Sequence, residues 1–154
     1  MTWALSRSAR VGVRRGAVLT TCAVAFGLAG CSSARPAASG ARVVVVEHDY
    51  GITLSPSSVR AGLVTLHVEN NGPSTHELLI DKSVLEPEAL PLRVNTVQIE
   101  EGSPALTKVA SLVEIRLNST HDMTIRLTPG HYVLFCNLEG HYLGGMHVSL
   151  QVKE

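Results

Sequence analysis

From Arg42 onward the chain is a series of short, β-branched runs of period two, each stopped by turn residues, and no stretch keeps a helical period. Leu63–Glu69 puts Val64, Leu66 and Val68 on one face and Thr65, His67 and Glu69 on the other. Tyr132, Leu134 and Cys136 share a parity within His131–Asn137, as do Met146, Val148, Leu150 and Val152 within Met146–Val152. Val43–Val46, Gly51–Leu54, His76–Asp81, a run from Val113 and Thr124–Leu127 complete the β signal. Ser55-Pro56-Ser57, Asn70-Asn71-Gly72-Pro73 and Thr128-Pro129-Gly130 punctuate it. Roughly seven or eight half-buried strands need a second layer to cover their apolar faces, which predicts an all-β sandwich of two sheets.

Residues 82–107 fit this pattern least. Glu86–Leu90 reads as one helical turn with Pro87 near its start, and Glu100-Glu101-Gly102-Ser103-Pro104 as loop. Val133 and Phe135 are apolar on the parity that faces away from the sandwich interior, so this segment is expected to pack over them.

The first thirty residues read as an export signal. Arg7, Arg10, Arg14 and Arg15 precede the apolar stretch Ala17–Gly30, which is short for a membrane span of about 20 residues. Leu28-Ala29-Gly30-Cys31 resembles the bacterial lipobox. That resemblance implies cleavage before Cys31, lipid on its sulfur, and a chain held at the outer face of the cytoplasmic membrane; an ordinary secretory peptide cut nearby is the alternative. Arg14-Arg15 hints at twin-arginine export, but Gly16-Ala17-Val18 fits that signal poorly, so the route stays open. Residues 31–41, rich in Ser, Ala, Pro and Gly, read as a flexible tether, leaving 42–154 as the domain.

Charge excludes one class of partner. The chain balances 13 basic against 13 acidic residues, but four arginines and no acid fall within the first thirty. The remainder carries nine basic and thirteen acidic side chains, a net charge of −4. Such a body lacks the clustered basic surface that nucleic acid needs. Of three cysteines, Cys22 lies in the signal and Cys31 at the lipobox, so Cys136 has no disulfide partner. An unpaired thiol in an exported protein is a buried inert residue, a nucleophile or a metal ligand.

Its surroundings favour the third reading. Cys136, His141 and Met146 stand five residues apart on a glycine-containing loop between two strands. Thiolate and imidazole both suit copper, and a thioether favours Cu(I). A nucleophilic Cys136 activated by His141 leaves Met146 and the glycines without a role. A second imidazole has to come from elsewhere, and His76 is the candidate because the Asn70–Pro73 turn can swing the start of its strand over the loop. Met146 also shares the parity of Val148 and Leu150, so plain core packing is its alternative.

Cys-x4-His-x4-Met after a Gly-x-Tyr strand, with Asn-x-Gly and His upstream, resembles the cupredoxins, the type 1 blue-copper family. The loop spacing is nearer to rusticyanin and to small plastocyanin-like bacterial lipoproteins than to plastocyanin itself. The resemblance covers most of 42–153. It implies an eight-stranded Greek-key sandwich holding one copper, with His76, Cys136 and His141 as its plane of ligands and Met146 axial. It implies a monomeric electron carrier rather than an enzyme, meeting redox partners such as a cytochrome or an oxidase transiently. Copper binding and delivery without redox cycling is the alternative. A binuclear site would need a second cysteine, and nitrite-reductase chemistry further histidines. Family members often carry Asn or Ser after the first histidine; here it is Glu77, so support of the cysteine sulfur from that position is in question. His48, His67, His121, His131 and His147 are expected to be structural or solvent-facing, His147 on the outward parity. Tyr142, Leu143 and the glycines around His141 are expected to form an exposed apolar patch where a partner docks.

Overall fold

The alternating runs pair into two sheets that face one another in a computed structural model, which describes residues 40–154. The strands are β1 (Ala41–His48), β2 (Gly51–Ser55), β3 (Ser58–Arg60), β4 (Gly62–Asn70), β5 (His76–Ser83), β6 (Leu106–Ile115), β7 (Thr120–Leu127), β8 (Gly130–Phe135) and β9 (His147–Lys153). One sheet has the order β2-β1-β4-β7 and the other β3-β9-β8-β5-β6. Consecutive strands repeatedly change sheets, as in Greek-key sandwiches. The predicted signal, residues 1–30, and most of the predicted tether lie outside the described residues. β1 extends two residues beyond the expected run Val43–Val46 at each end.

The core follows the parities read from the sequence. Val43 and Val45 of β1, Val64, Leu66 and Val68 of β4, Leu78 and Ile80 of β5, Tyr132 and Leu134 of β8, and Leu150 and Val152 of β9 are buried between the sheets. Each fully buried apolar side chain of this size contributes about 1.5–3 kcal/mol relative to exposure. A second apolar cluster lies on the other side of the five-stranded sheet. There Leu79, Val133 and Phe135 meet Leu90, Ile99 and Leu106. Residues 84–105, including a short 3-10 helix over Pro87–Ala89, cover that face as expected.

The first and fourth strands set the geometry of one end of the sandwich. β1 and β4 are parallel neighbours, from Ala41 against Val64 to Glu47 against Asn70. Both therefore exit at the same end, and the turns that succeed them, at residues 48–51 and 70–76, are brought together there.

Candidate metal centre

The end at which β1 and β4 exit is also where β5 begins and β8 ends. His76 is the first residue of β5, and Cys136 directly follows β8. The chain from Cys136 to Met146 is a closed loop held by its own backbone. The N–H of Cys136 donates to Met146 O at 3.1 Å, that of Met146 to His141 O at 3.1 Å, and that of His141 to Leu138 O at 3.0 Å. These backbone bonds alone draw Cys136, His141 and Met146 together. Gly144 and Gly145 let the loop lie against the 48–51 turn. A Cβ on Gly144 would collide with the Tyr50 ring, and one on Gly145, at φ +115°, would lie 2.8 Å from Tyr50 O.

The three donors predicted from sequence converge. His76 Nδ1 and His141 Nδ1 are 3.3 Å apart, and Cys136 Sγ is 3.5 Å from His141 Nδ1. All three donor atoms lie within 4.8 Å of one another. Donors that share one first-row ion at roughly 2.0–2.3 Å must lie about 3–4 Å apart, and the 3.3 and 3.5 Å separations fall in that range. His76, Cys136 and Met146 are buried completely, and His141 partly. Met146 packs in the same buried cluster as Cys136.

In the metal-free chain burial acts on the two kinds of donor in opposite senses, favouring the ligating form of His76 and opposing the thiolate of Cys136. Burial, and next the neighbouring His141, lower the pKa of His76, so its imidazole is held neutral, the form that ligates. Burial pushes the Cys136 thiol up to about 11, while backbone N–H groups of Glu77 and Leu138 act in the opposite direction by hydrogen-bonding the sulfur. Glu77 thus supports the sulfur through its main chain and not through its side chain. Its carboxylate instead accepts the N–H of Asn137 at 3.1 Å, and burial raises its pKa.

Two other side chains fix the loop from behind. Asn137 Oδ1 accepts the Ile99 N–H at 2.5 Å, and its Nδ2 donates to Ile99 O and Glu101 Oε1 at 3.2 and 3.0 Å. Tyr142, expected in an exposed patch, is only 3 % exposed. Its hydroxyl donates to Pro87 O at 2.7 Å and accepts the Leu90 N–H at 3.1 Å. The hydroxyl of a tyrosine finds buried partners that its apolar ring alone does not reveal. The exposed apolar surface beside His141 is made by Leu143, 55 % exposed as expected, with Tyr50, 63 % exposed, in place of Tyr142. Tyr50 meets the His141 ring edge-on with centroids 6.2 Å apart.

Among the described residues no other histidine joins the cluster, although His48, next to Asp49, is near enough to His76 to help lower its pKa. His131 is structural, bonded to Ser83 O and Ser149 Oγ at 3.0 and 2.9 Å; His67 pairs with Asp122, and His121 with Ser119. His147 has the expected parity but is not solvent-facing. The covering segment brings Glu88 to 4.0 Å from it and Tyr142 stacks nearby at a tilt. Asn70 locks the turn that the sequence singled out before His76. Sequence reasoning missed two nearby groups: Asp49 lies 3.2 Å from His76 Nε2, and Glu47 is fully buried on the inner face of β1. For Glu47 the signal was present, since it shares the parity of Val43 and Val45.

Two mixed sheets and a buried His-Cys-His cluster at one end define the class: the chain has the cupredoxin fold. It is similar to auracyanin from the photosynthetic bacterium Roseiflexus castenholzii, with a TM-score of 0.57 and 22% identity over 75% of this chain and 100% of that one. It is also similar to rusticyanin from Thiobacillus ferrooxidans, with a TM-score of 0.50 and 20% identity over 75% of this chain and 79% of that one. Another rusticyanin structure, described as that of a copper protein, gives 0.52 and 19% over 75% and 80%. No family model matches the chain, and no curated protein does. One thiol and two imidazoles at these separations fit a single copper ion.

Proposed function

We propose that the chain is a type 1 copper protein that carries single electrons between redox partners outside the cytoplasmic membrane, anchored there by lipid on Cys31. The observation that carries this reading is the convergence of His76 Nδ1, Cys136 Sγ and His141 Nδ1 in one largely buried cluster. His76, Cys136 and His141 would hold the ion, with Met146 as the fourth, weaker ligand. Copper, when bound, supplies a one-electron couple between Cu(II) and Cu(I).

The chain's own residues do the rest. Burial of His76, Cys136 and Met146 keeps water from the site, and the backbone bonds of the Cys136–Met146 loop hold the donors in place. A site that does not have to rearrange suits electron transfer. Copper delivery calls for exposed donors with ready exchange, and three of these four are fully buried. His141 is the donor nearest solvent, so its ring gives a docked partner the shortest bonded path to the centre. Leu143 and Tyr50 beside it offer a small apolar contact, suited to a partner that binds briefly and leaves. With two acyl chains the membrane anchoring would be stable, and confinement to the surface would raise the local concentration of partners.

The test is visible spectroscopy and voltammetry of the copper-loaded protein, with Cys136→Ser beside it. Wild type is expected to show an intense thiolate-to-copper band and a reversible one-electron wave, and Cys136→Ser to fold but lack the band. A colourless protein that readily hands Cu(I) to a chelator would overturn electron carriage in favour of delivery. An unchanged spectrum in Cys136→Ser would remove Cys136 from the site.

A further inference from the structure

A metal-binding imidazole has two nitrogens, and the one turned away from the metal decides how the ring is held. His76 Nδ1 faces His141, while its Nε2 lies 3.2 Å from Asp49 Oδ1. Neither of those two atoms has another polar partner, and His76 is entirely buried. The contact is off the ideal hydrogen-bond direction, but each group is the other's only recourse. An unpartnered buried N–H and an unpartnered buried carboxylate oxygen would both be costly.

Asp49 is itself built into place. Its Oδ2 accepts the Ser74 hydroxyl at 2.9 Å. Gly72 lies so near that a Cβ there would be 2.8 Å from Asp49 N and 2.9 Å from Oδ1. Asn70 fixes that glycine, taking the Gly72 N–H on Oδ1 at 2.9 Å while Nδ2 donates to Ser74 O and Ile115 O, both at 2.8 Å. The turn that ends in His76 is thus folded around one carboxylate, which faces the back of the ring.

We propose that Asp49 is a positioning residue for His76: it holds the proton on Nε2, leaves the Nδ1 lone pair aimed into the centre, and through its charge lowers the reduction potential of the bound metal. The tautomer part stands on the metal-free geometry alone. The potential part rests on the reading of the site as a copper centre. A carboxylate on the far nitrogen makes the imidazole a stronger donor and favours the higher oxidation state of the ion it holds.

The experiment uses the full chain as wild type, Asp49→Asn and Asp49→Ala. In the metal-free protein, nitrogen NMR of His76 is expected to show the Nε2–H tautomer in wild type and a mixture in Asp49→Ala. A wild-type ring protonated on Nδ1 overturns the proposal, and it does so whether or not copper is the metal. In the copper-loaded protein, Asp49→Asn keeps the shape and removes the charge. The oxidised-to-reduced equilibrium should shift about tenfold toward the reduced ion, ~59 mV for one electron, with the blue band retained. Asp49→Ala should in addition weaken copper binding about 10–100-fold. If both variants fold and keep the wild-type potential and affinity, Asp49 is a turn residue only. If wild type itself lacks the band and the couple, the copper reading fails, and the NMR result alone decides the role of Asp49.

Discussion

Glu47 gives the sharpest stability test. Its side chain points between the sheets, is completely buried, and neither carboxylate oxygen has a partner. Burial, and secondarily the charge of Glu77, push its pKa from 4.5 up to about 8. Below pH 4.5 the carboxyl is protonated in folded and unfolded chains alike and adds no pH dependence. As the pH rises, the unfolded chain gives up its proton first, so stability falls by about 1.4 kcal/mol per unit until the folded protein also ionises near pH 8. A window of roughly 3.5 units caps the loss at about 5 kcal/mol, a large part of a typical total of about 5–15 kcal/mol. Glu47→Gln keeps the shape and abolishes the titration; like the protonated acid it leaves buried polar atoms without partners, so any difference between the two is independent of pH. Urea unfolding of the metal-free chains from pH 5 to 9 should therefore show the variant gaining on wild type as the pH rises, by up to about 4 kcal/mol between pH 5 and 8. Asp81, whose carboxyl burial pushes up to about 6, titrates in both proteins and cancels in the difference. Parallel stability curves for the two proteins would refute this reasoning, because they would mean that Glu47 ionises inside the fold as easily as outside it.

Two further substitutions probe the supports of the loop. Tyr142→Phe strands the Pro87 carbonyl and the Leu90 N–H under the covering segment, so it should cost about 1–3 kcal/mol in urea unfolding and speed hydrogen exchange at Leu90. Asn137→Ala removes both bonds to Ile99 and the one to Glu101. A loss of about 2–4 kcal/mol is expected, with exchange rising first in residues 98–101, and unaltered protection there would show that apolar packing alone holds the segment.

Much of the fold was legible in the sequence because burial on one face leaves a period of two. β4, β8 and β9 showed it plainly, and their buried residues are the ones the alternation picked out. β6 was placed too late, from Val113, because it is an edge strand with few buried residues, only Leu106 and Ile115, at its two ends. β3 is three residues long, too short to carry a pattern. Four candidate ligands could be proposed because thiol, imidazole and thioether at fixed spacing have a chemical meaning of their own. Asp49 had no such signal. A lone acid in a turn says nothing until the parallel pairing of β1 and β4 delivers that turn to the start of β5.

The same pairing explains how the centre is held together. Each candidate donor hangs on a support, and for all but Cys136 that support makes no claim on the metal-facing atom. His76 is backed by Asp49 and the Asn70 turn, Cys136 by the N–H groups of Glu77 and Leu138, and His141 and Met146 by backbone bonds of one closed loop. Asn137 and Tyr142 then pin that loop to the segment covering the outer face of the five-stranded sheet. A donor held from behind loses little freedom on binding and has little room to follow a change in the ion's preferred geometry. The second apolar cluster, under Leu90 and Ile99, is thus more than insulation: by burying the anchors of Asn137 and Tyr142 it keeps those bonds from exchanging with water. Rigidity at the centre is set by packing on the far side of the sheet, and the two can be separated only by loosening that cover.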